Sequence, residues 1–201
     1  YSNNTGNDNT ANGAEALLAN TSGIANTAIG HGSLRYNTIG GHNTAIGMGS
    51  LCFSVSGSDA TAVGFQAMHY INSSISQNVA LGAYALRGSF EPENNTGYNN
   101  TALGYQSLYT NGTGMNNTAT GYRSLFDNLS GYHNTATGMY TLSHNESGSI
   151  NTAHGSLSLN LNTTGSGNTA IGFRSLYSNT EGEYNTAIGV GALHSNTDRS
   201  N

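Results

Sequence analysis

The sequence predicts an all-β chain, a parallel β-solenoid or β-roll of about eleven 17-residue coils assembled as a homotrimeric fibre. Three observations carry this. First, Asn-Thr-Ala-Ile-Gly or a near variant begins at Asn9, Asn26, Asn43, Ala60, Asn78, Asn100, Asn117, Asn134, Asn151, Asn168 and Asn185, at intervals of 17, 17, 17, 18, 22, 17, 17, 17, 17 and 17. A fixed period this short means one small unit stacked many times, each touching only its neighbours. Second, counting each unit from that first residue, position 3 is Ala and position 5 is Gly in all eleven. Third, other periodic folds fail. Each Gly in a helix costs about 1 kcal/mol relative to Ala, and collagen needs Gly at every third residue.

The elements follow in order along the unit. Thr-Ala-Ile at positions 2 to 4 has the alternation of a short strand; position 2 is Thr except at Val79. Gly at position 5 ends the strand where the backbone turns or approaches another backbone closely. Position 8 is always small, and position 9 is Leu except at Met68, so Ser-Leu is expected to open a second short strand. Asn-x-Thr-Gly at positions 12 to 15 is turn chemistry. Stacked in register, such coils form parallel ladders about 4.8 Å apart. The aliphatic residue at position 4 and the Leu at position 9 are expected to fill the coil. The small rows at 3 and 8 have two readings: close approach by another chain, giving a trimer, or a cramped single-chain interior.

Of the 201 residues 7% are charged, 28 are Gly, one is Pro and one is Cys. A globular domain carries roughly a quarter charged residues, so Asn, Ser, Thr and Tyr must wet this surface. The net charge is -5 with five Lys and Arg together, which argues against a nucleic-acid partner, because phosphate binding needs clustered cations. No apolar run approaches the ~20 residues of a membrane span, so no membrane insertion is expected. No signal peptide is visible. The chain opens at Tyr1 inside an incomplete unit, and residues 1–201 are read as one repeat array excerpted from a longer fibre. Cys52 occupies position 10, held elsewhere by Arg35, His69, Arg87, Tyr109 and Phe126. That variability predicts an outward or rim site. A lone Cys forms no intrachain disulfide. Acidic residues are scattered, the His residues lack metal-ligand spacing, and no phosphate loop is present. Neither an enzyme nor a cofactor is expected.

Asn-Thr-Ala-Ile-Gly followed by Ser-Leu resembles the head repeats of trimeric autotransporter adhesins, and more closely the repeats of phage and bacterial tail-fibre-like proteins. The resemblance covers the whole chain, although adhesin-head repeats run shorter. It implies a left-handed parallel β-roll of three chains working outside the cell in attachment.

Breaks in a repeat are candidate sites of function. Units 60–99 are irregular, with five extra residues around Ser89, Phe90, Glu91, Pro92 and Glu93 and a one-residue expansion near Ile71 to Ile75. Solenoid insertions project as loops, often on a binding face, so this segment is a candidate receptor loop or a tolerated surface loop. Position 4 turns polar at Asn12, Thr120, Thr137 and His154. If it faces the core, this is a hydrated layer that sets register, or an axial ion site with one His154 per chain. Position 6 or 7 is aromatic at Phe65, Tyr84, Tyr105, Tyr122, Tyr140 and Phe173, rings that shield coil edges or stack on sugars. Candidate N-glycan acceptors are Asn3, Asn20, Asn72, Asn94, Asn99, Asn111, Asn116, Asn128, Asn145 and Asn162, read otherwise as plain turns.

The function expected is an extracellular structural fibre, filament or adhesin segment, whose stiff shaft attaches by many weak contacts. Its partners would be copies of itself and cell-surface glycans or another receptor. The alternative is a monomeric ice-binding solenoid using the Thr ladder.

Overall fold

The computed structural model describes residues 5–72, 77–198 and 200. Thirteen short strands appear among them: β1 (Thr10–Asn12), β2 (Thr27–Ile29), β3 (Thr44–Ile46), β4 (Thr61–Val63), β5 (Val79–Leu81), β6 (Thr101–Leu103), β7 (Thr110–Asn111), β8 (Thr118–Thr120), β9 (Asp127–Asn128), β10 (Thr135–Thr137), β11 (Thr152–His154), β12 (Thr169–Ile171) and β13 (Thr186–Ile188). All except β7 and β9 lie side by side in sequence order as one 11-stranded sheet. Every pairing is parallel and matches like position with like, as in Ala28↔Ala45 and Ala136↔Ala153. The long unit keeps register, since Ala80 pairs with Ala102. The chain is therefore an all-β parallel solenoid, as its period predicts. No α-helix occurs among the described residues; one 3-10 turn spans Pro92–Asn94.

The expected second strand at Ser-Leu is absent. Positions 7 to 9 form a tight corner, and the position-9 residue is left-handed in every coil, with φ 50° at Leu51 and Leu125 and 52° at Met68. Position 7 is left-handed too, as at Gln66 (φ 51°) and Arg123 (φ 50°). Extended pairing on this side is confined to β7 with β9, which join Thr110 to Asp127 and Asn111 to Asn128 at positions 11 and 12. The backbone ladder nevertheless runs through the corners. The Leu34 N–H donates to Ser50 O at 3.1 Å, and the Gln66 N–H to Met48 O at 3.0 Å. Polar backbone atoms are thus satisfied between coils where strand geometry is lost.

The filling of the coil also differs from expectation. A three-residue strand alternates in and out, and Ala at position 3 is the inward residue, fully buried from Ala28 to Ala170. Position 4 points outward, with Ile29, Ile46, Leu81, Ile171 and Ile188 exposed. The core is therefore a column of position-9 Leu side chains against columns of small residues at 3 and 8. Position 8 is small because the interior is narrow, and it is often Ser for a further reason. The Ser33 and Ser50 hydroxyls donate to the carbonyls of Gly30 and Gly47, both at 2.9 Å, tying the corner to the strand end. The small rows are explained within one chain and supply no argument for a second.

Two buried Asn columns run along the stack. At position 12 each amide donates to the previous Asn and to the position-15 Gly of its own coil: Asn128 Nδ2 reaches Asn111 Oδ1 at 2.8 Å and Gly131 O at 2.9 Å. At position 1 the Oδ1 accepts the next backbone N–H, as in Asn134 N to Asn117 Oδ1 at 2.9 Å. Gly fits beside these columns because nothing larger does. A Cβ on Gly131 would lie 2.4 Å from Gly148 O and 2.5 Å from Asn128 Oδ1. The position-12 column breaks at Ser54 and Ile71, just before and within the irregular units, and Asn37 Oδ1 and Ser54 Oγ are buried at the break without hydrogen-bond partners.

Candidate functional site

Three surfaces result: a flat sheet face, an aromatic edge and a turn face. The sheet face carries positions 2 and 4 of the eleven paired strands. Ten of these strands present Thr at position 2, and His154 is the one titratable side chain on the face. The position-4 aliphatics are 36% exposed at Ile46, 52% at Leu81 and 68% at Ile188. The polar residues Thr120, Thr137 and His154 belong to this outward row. They form no core layer, and the expectation of a buried polar stratum within the chain is overturned. His154 pairs in register with Thr137 and Ile171, and no group of three His, Cys, Asp or Glu side chains able to hold a metal occurs among the described residues.

The aromatic edge is built by positions 6, 7, 10 and 11. Rings repeat at the coil spacing and meet: Tyr105 and Tyr122 stack at 5.6 Å with planes 12° apart, and Tyr109 and Phe126 at 4.9 Å with planes 3° apart. Faces that would stack on a sugar are occupied by the next ring in these pairs. The described arginines also lie on this edge, each over a ring: Arg35 over Tyr36, Arg87 over Tyr70 and Phe90, Arg123 over Phe126, and Arg174 over Phe173. Such contacts are worth about 0.5–1 kcal/mol when exposed and more when desolvated. Arg87 is the desolvated case. It is 8% exposed, donates to Gln66 Oε1 at 3.2 Å and to the Tyr109 hydroxyl at 2.9 Å, and lies beneath Phe90. Desolvation lifts the Asp127 carboxyl above its ordinary range, against the pull of His144 and a bond from Thr110, and it lowers His69 below the usual imidazole value.

Cys52 sits on this edge, the rim site that position 10 predicts, yet it is only 6% exposed, and burial pushes its thiol to about 11. The candidate receptor loop is pinned to the body by Asn95, which accepts from the Ser89 N–H at 3.0 Å and donates to the carbonyls of Tyr70, Ser89 and Glu91. Phe90, Glu91 and Glu93 stand exposed on it, while Ser89 and Pro92 are half-buried. Beside it lies a groove of about 440 Å³ lined by Ser89, Glu93, Thr110 and Leu129.

The turn face narrows the list of glycan acceptors. Asn20, Asn111, Asn128, Asn145 and Asn162 are buried, and the last four are members of the continuous position-12 column. A glycan there would need the column broken, so these sites are corrected to structural amides. Asn94 and Asn99 are exposed, Asn72 and Asn116 half-buried. Asn3 lies outside the described residues. The recurrence of Asn at position 12 in the regular coils, with Ser54 the exception, was the available sign of burial, since an exposed turn tolerates variation.

Comparison with protein-family models, curated proteins and solved structures returns no match for this chain. No helix among the described residues is long and apolar enough to cross a membrane.

Proposed function

We propose that this chain is a segment of an extracellular structural fibre whose copies pack, three about one axis, through the Thr-Ala-Ile face. The observation that carries the reading is the outward row at position 4, aliphatic in five successive strands from Ile29 to Leu103 and again at Ile171 and Ile188, on a nearly uncharged face. Exposed apolar area this contiguous marks an interaction surface. The coil needs no partner for its own core, so the row has a role outside the fold. The aromatic edge and the inserted loop then face away from the axis, toward a surface that the fibre contacts many times over. The extracellular setting is supported by the resemblance to adhesin and tail-fibre repeats.

A second reading is favoured by one specific feature of the same face: Thr methyl and hydroxyl groups in register at a spacing of about 4.8 Å, which suits ordered water and so ice. One experiment separates the two. Sedimentation of the 20.8 kDa chain is expected to give three times that mass, falling to monomer in the double variant Ile46→Asp/Ile171→Asp with its circular dichroism unchanged. A monomer at every concentration, with thermal hysteresis, would replace the fibre by the ice-binding reading. A monomer without hysteresis would sink both.

A further inference from the structure

Position 7 is a left-handed corner that accepts large side chains, as Glu15, Gln66, Gln106 and Arg123 show at φ 60°, 51°, 54° and 50°. In two successive coils it is instead Gly32 and Gly49, both at φ 66°. The corner does not require Gly, since its neighbours manage without. Space does not require it at Gly32 either, where an added Cβ would meet nothing within 4 Å. At Gly49 an added Cβ would come within 3.0 Å of the His69 ring, which leans over the gap. Two absent side chains therefore leave a notch of about 290 Å³ in the edge, between the rungs of Glu15 and Gln66.

The walls of the notch have mixed chemistry. Met48 and Phe53 are apolar, and Arg35 and Glu15 line it side by side. Arg35 Nε is 3.2 Å from Glu15 Oε2, yet it is buried without a hydrogen bond, because the two are close but poorly aligned. Opposite charges side by side disfavour an ion as ligand: an anion meets Glu15 and a cation meets Arg35. A polyol satisfies both, accepting from the guanidinium and donating to the carboxylate, while its C–H face lies on Met48. The volume is at the lower end of the roughly 300–1,000 Å³ of ligand pockets, enough for one small ring. We propose that the Gly32–Gly49 notch binds a single neutral pyranose unit. This does not depend on self-association, since one chain builds the whole notch.

The test is saturation-transfer NMR on the intact chain with the methyl glycosides of glucose, galactose, mannose and glucuronic acid. At least one neutral glycoside is expected to show transfer. Binding should weaken tenfold or more in Gly32→Gln, which restores the rung seen at Gln66 and Gln106, and in Arg35→Met. It should be unchanged in Gly191→Gln, the same corner in a distant coil, where an added Cβ also meets open space. Urea midpoints close to wild type would show that the variants fold. No transfer from any neutral glycoside, transfer from the glucuronide alone, or binding that survives both notch variants would overturn the assignment.

Discussion

The position-9 leucine shows how a single residue type is chosen here. A left-handed non-glycine residue costs about 1–2 kcal/mol, and Leu gains little in return from local hydrogen bonding. Full burial of its side chain contributes about 1.5–3 kcal/mol, so burial wins and the strained corner persists in every coil. Leu125→Gly, which relieves the strain, is therefore still expected to destabilise the chain. Leu125→Ala keeps the strain and opens a cavity, and should cost roughly 3–5 kcal/mol by urea denaturation. The Asn column allows the opposite experiment. Asn37 Oδ1 is buried with no partner because Ser54 cannot reach it. Ser54→Asn supplies the missing amide and is expected to raise stability by about 1 kcal/mol, whereas Asn128→Ala orphans three partners and should lose several. Cys52 gives a pH signature. Its thiol titrates near 9 in the unfolded chain and about 11 in the folded one. The folded state therefore holds its proton more tightly, its stabilising contribution is complete below pH 9, and this is lost as pH rises through 11. The wild-type melting temperature should fall relative to Cys52→Ala across that window, the comparison cancelling tyrosine ionisation.

At the scale of the coil, the strand, the corner and the Asn-Gly turn are separate solutions to one constraint: every backbone N–H and C=O must reach the coil above or below. Gly at position 5 serves this constraint directly. Gly121 has φ 127°, and a Cβ on it would lie 2.7 Å from Gly138 O. Gly121→Ala must therefore push two coils apart. It should cost more than any exposed substitution on the sheet face, where effects stay within about 0.5 kcal/mol. The inserted loop obeys the same logic in reverse. It adds residues between β5 and β6 without shifting their register, because Asn95 ties the extra length back on itself and onto Tyr70 before the next strand begins.

At the scale of the molecule, stability in a stack is a sum of coil terms and nearest-neighbour terms. The weakest junctions should lie where the Asn column is interrupted, between Asn37 and Asn111. Hydrogen exchange is expected to show lower protection for residues 61–72 and 77–95 than for residues 118–176, whose column is unbroken. Uniform protection along the stack would show that the column contributes little to cohesion. The flat face belongs to this scale too, since its row of half-exposed aliphatics has meaning only as a surface many coils long.

Much of this was legible in the residues alone. The 17-residue interval determined the stack, its parallel register, the strand at positions 2 to 4 and the glycine that ends it, because a repeat must pair like with like. What the tertiary structure decided was phase and direction. Alternation in a three-residue strand says that positions 3 and 4 face opposite ways but not which is inside, and a one-residue shift exchanges the two faces. The interior closes around Ala because the position-9 corner drives Leu inward and leaves room for a methyl group beside it. That sends Ile46 and His154 to the surface, takes Asn128 into the interior, and sets the notch at Gly32 and Gly49 on the edge. Each of these depends on side chains from neighbouring coils, which a reading along one coil does not bring together.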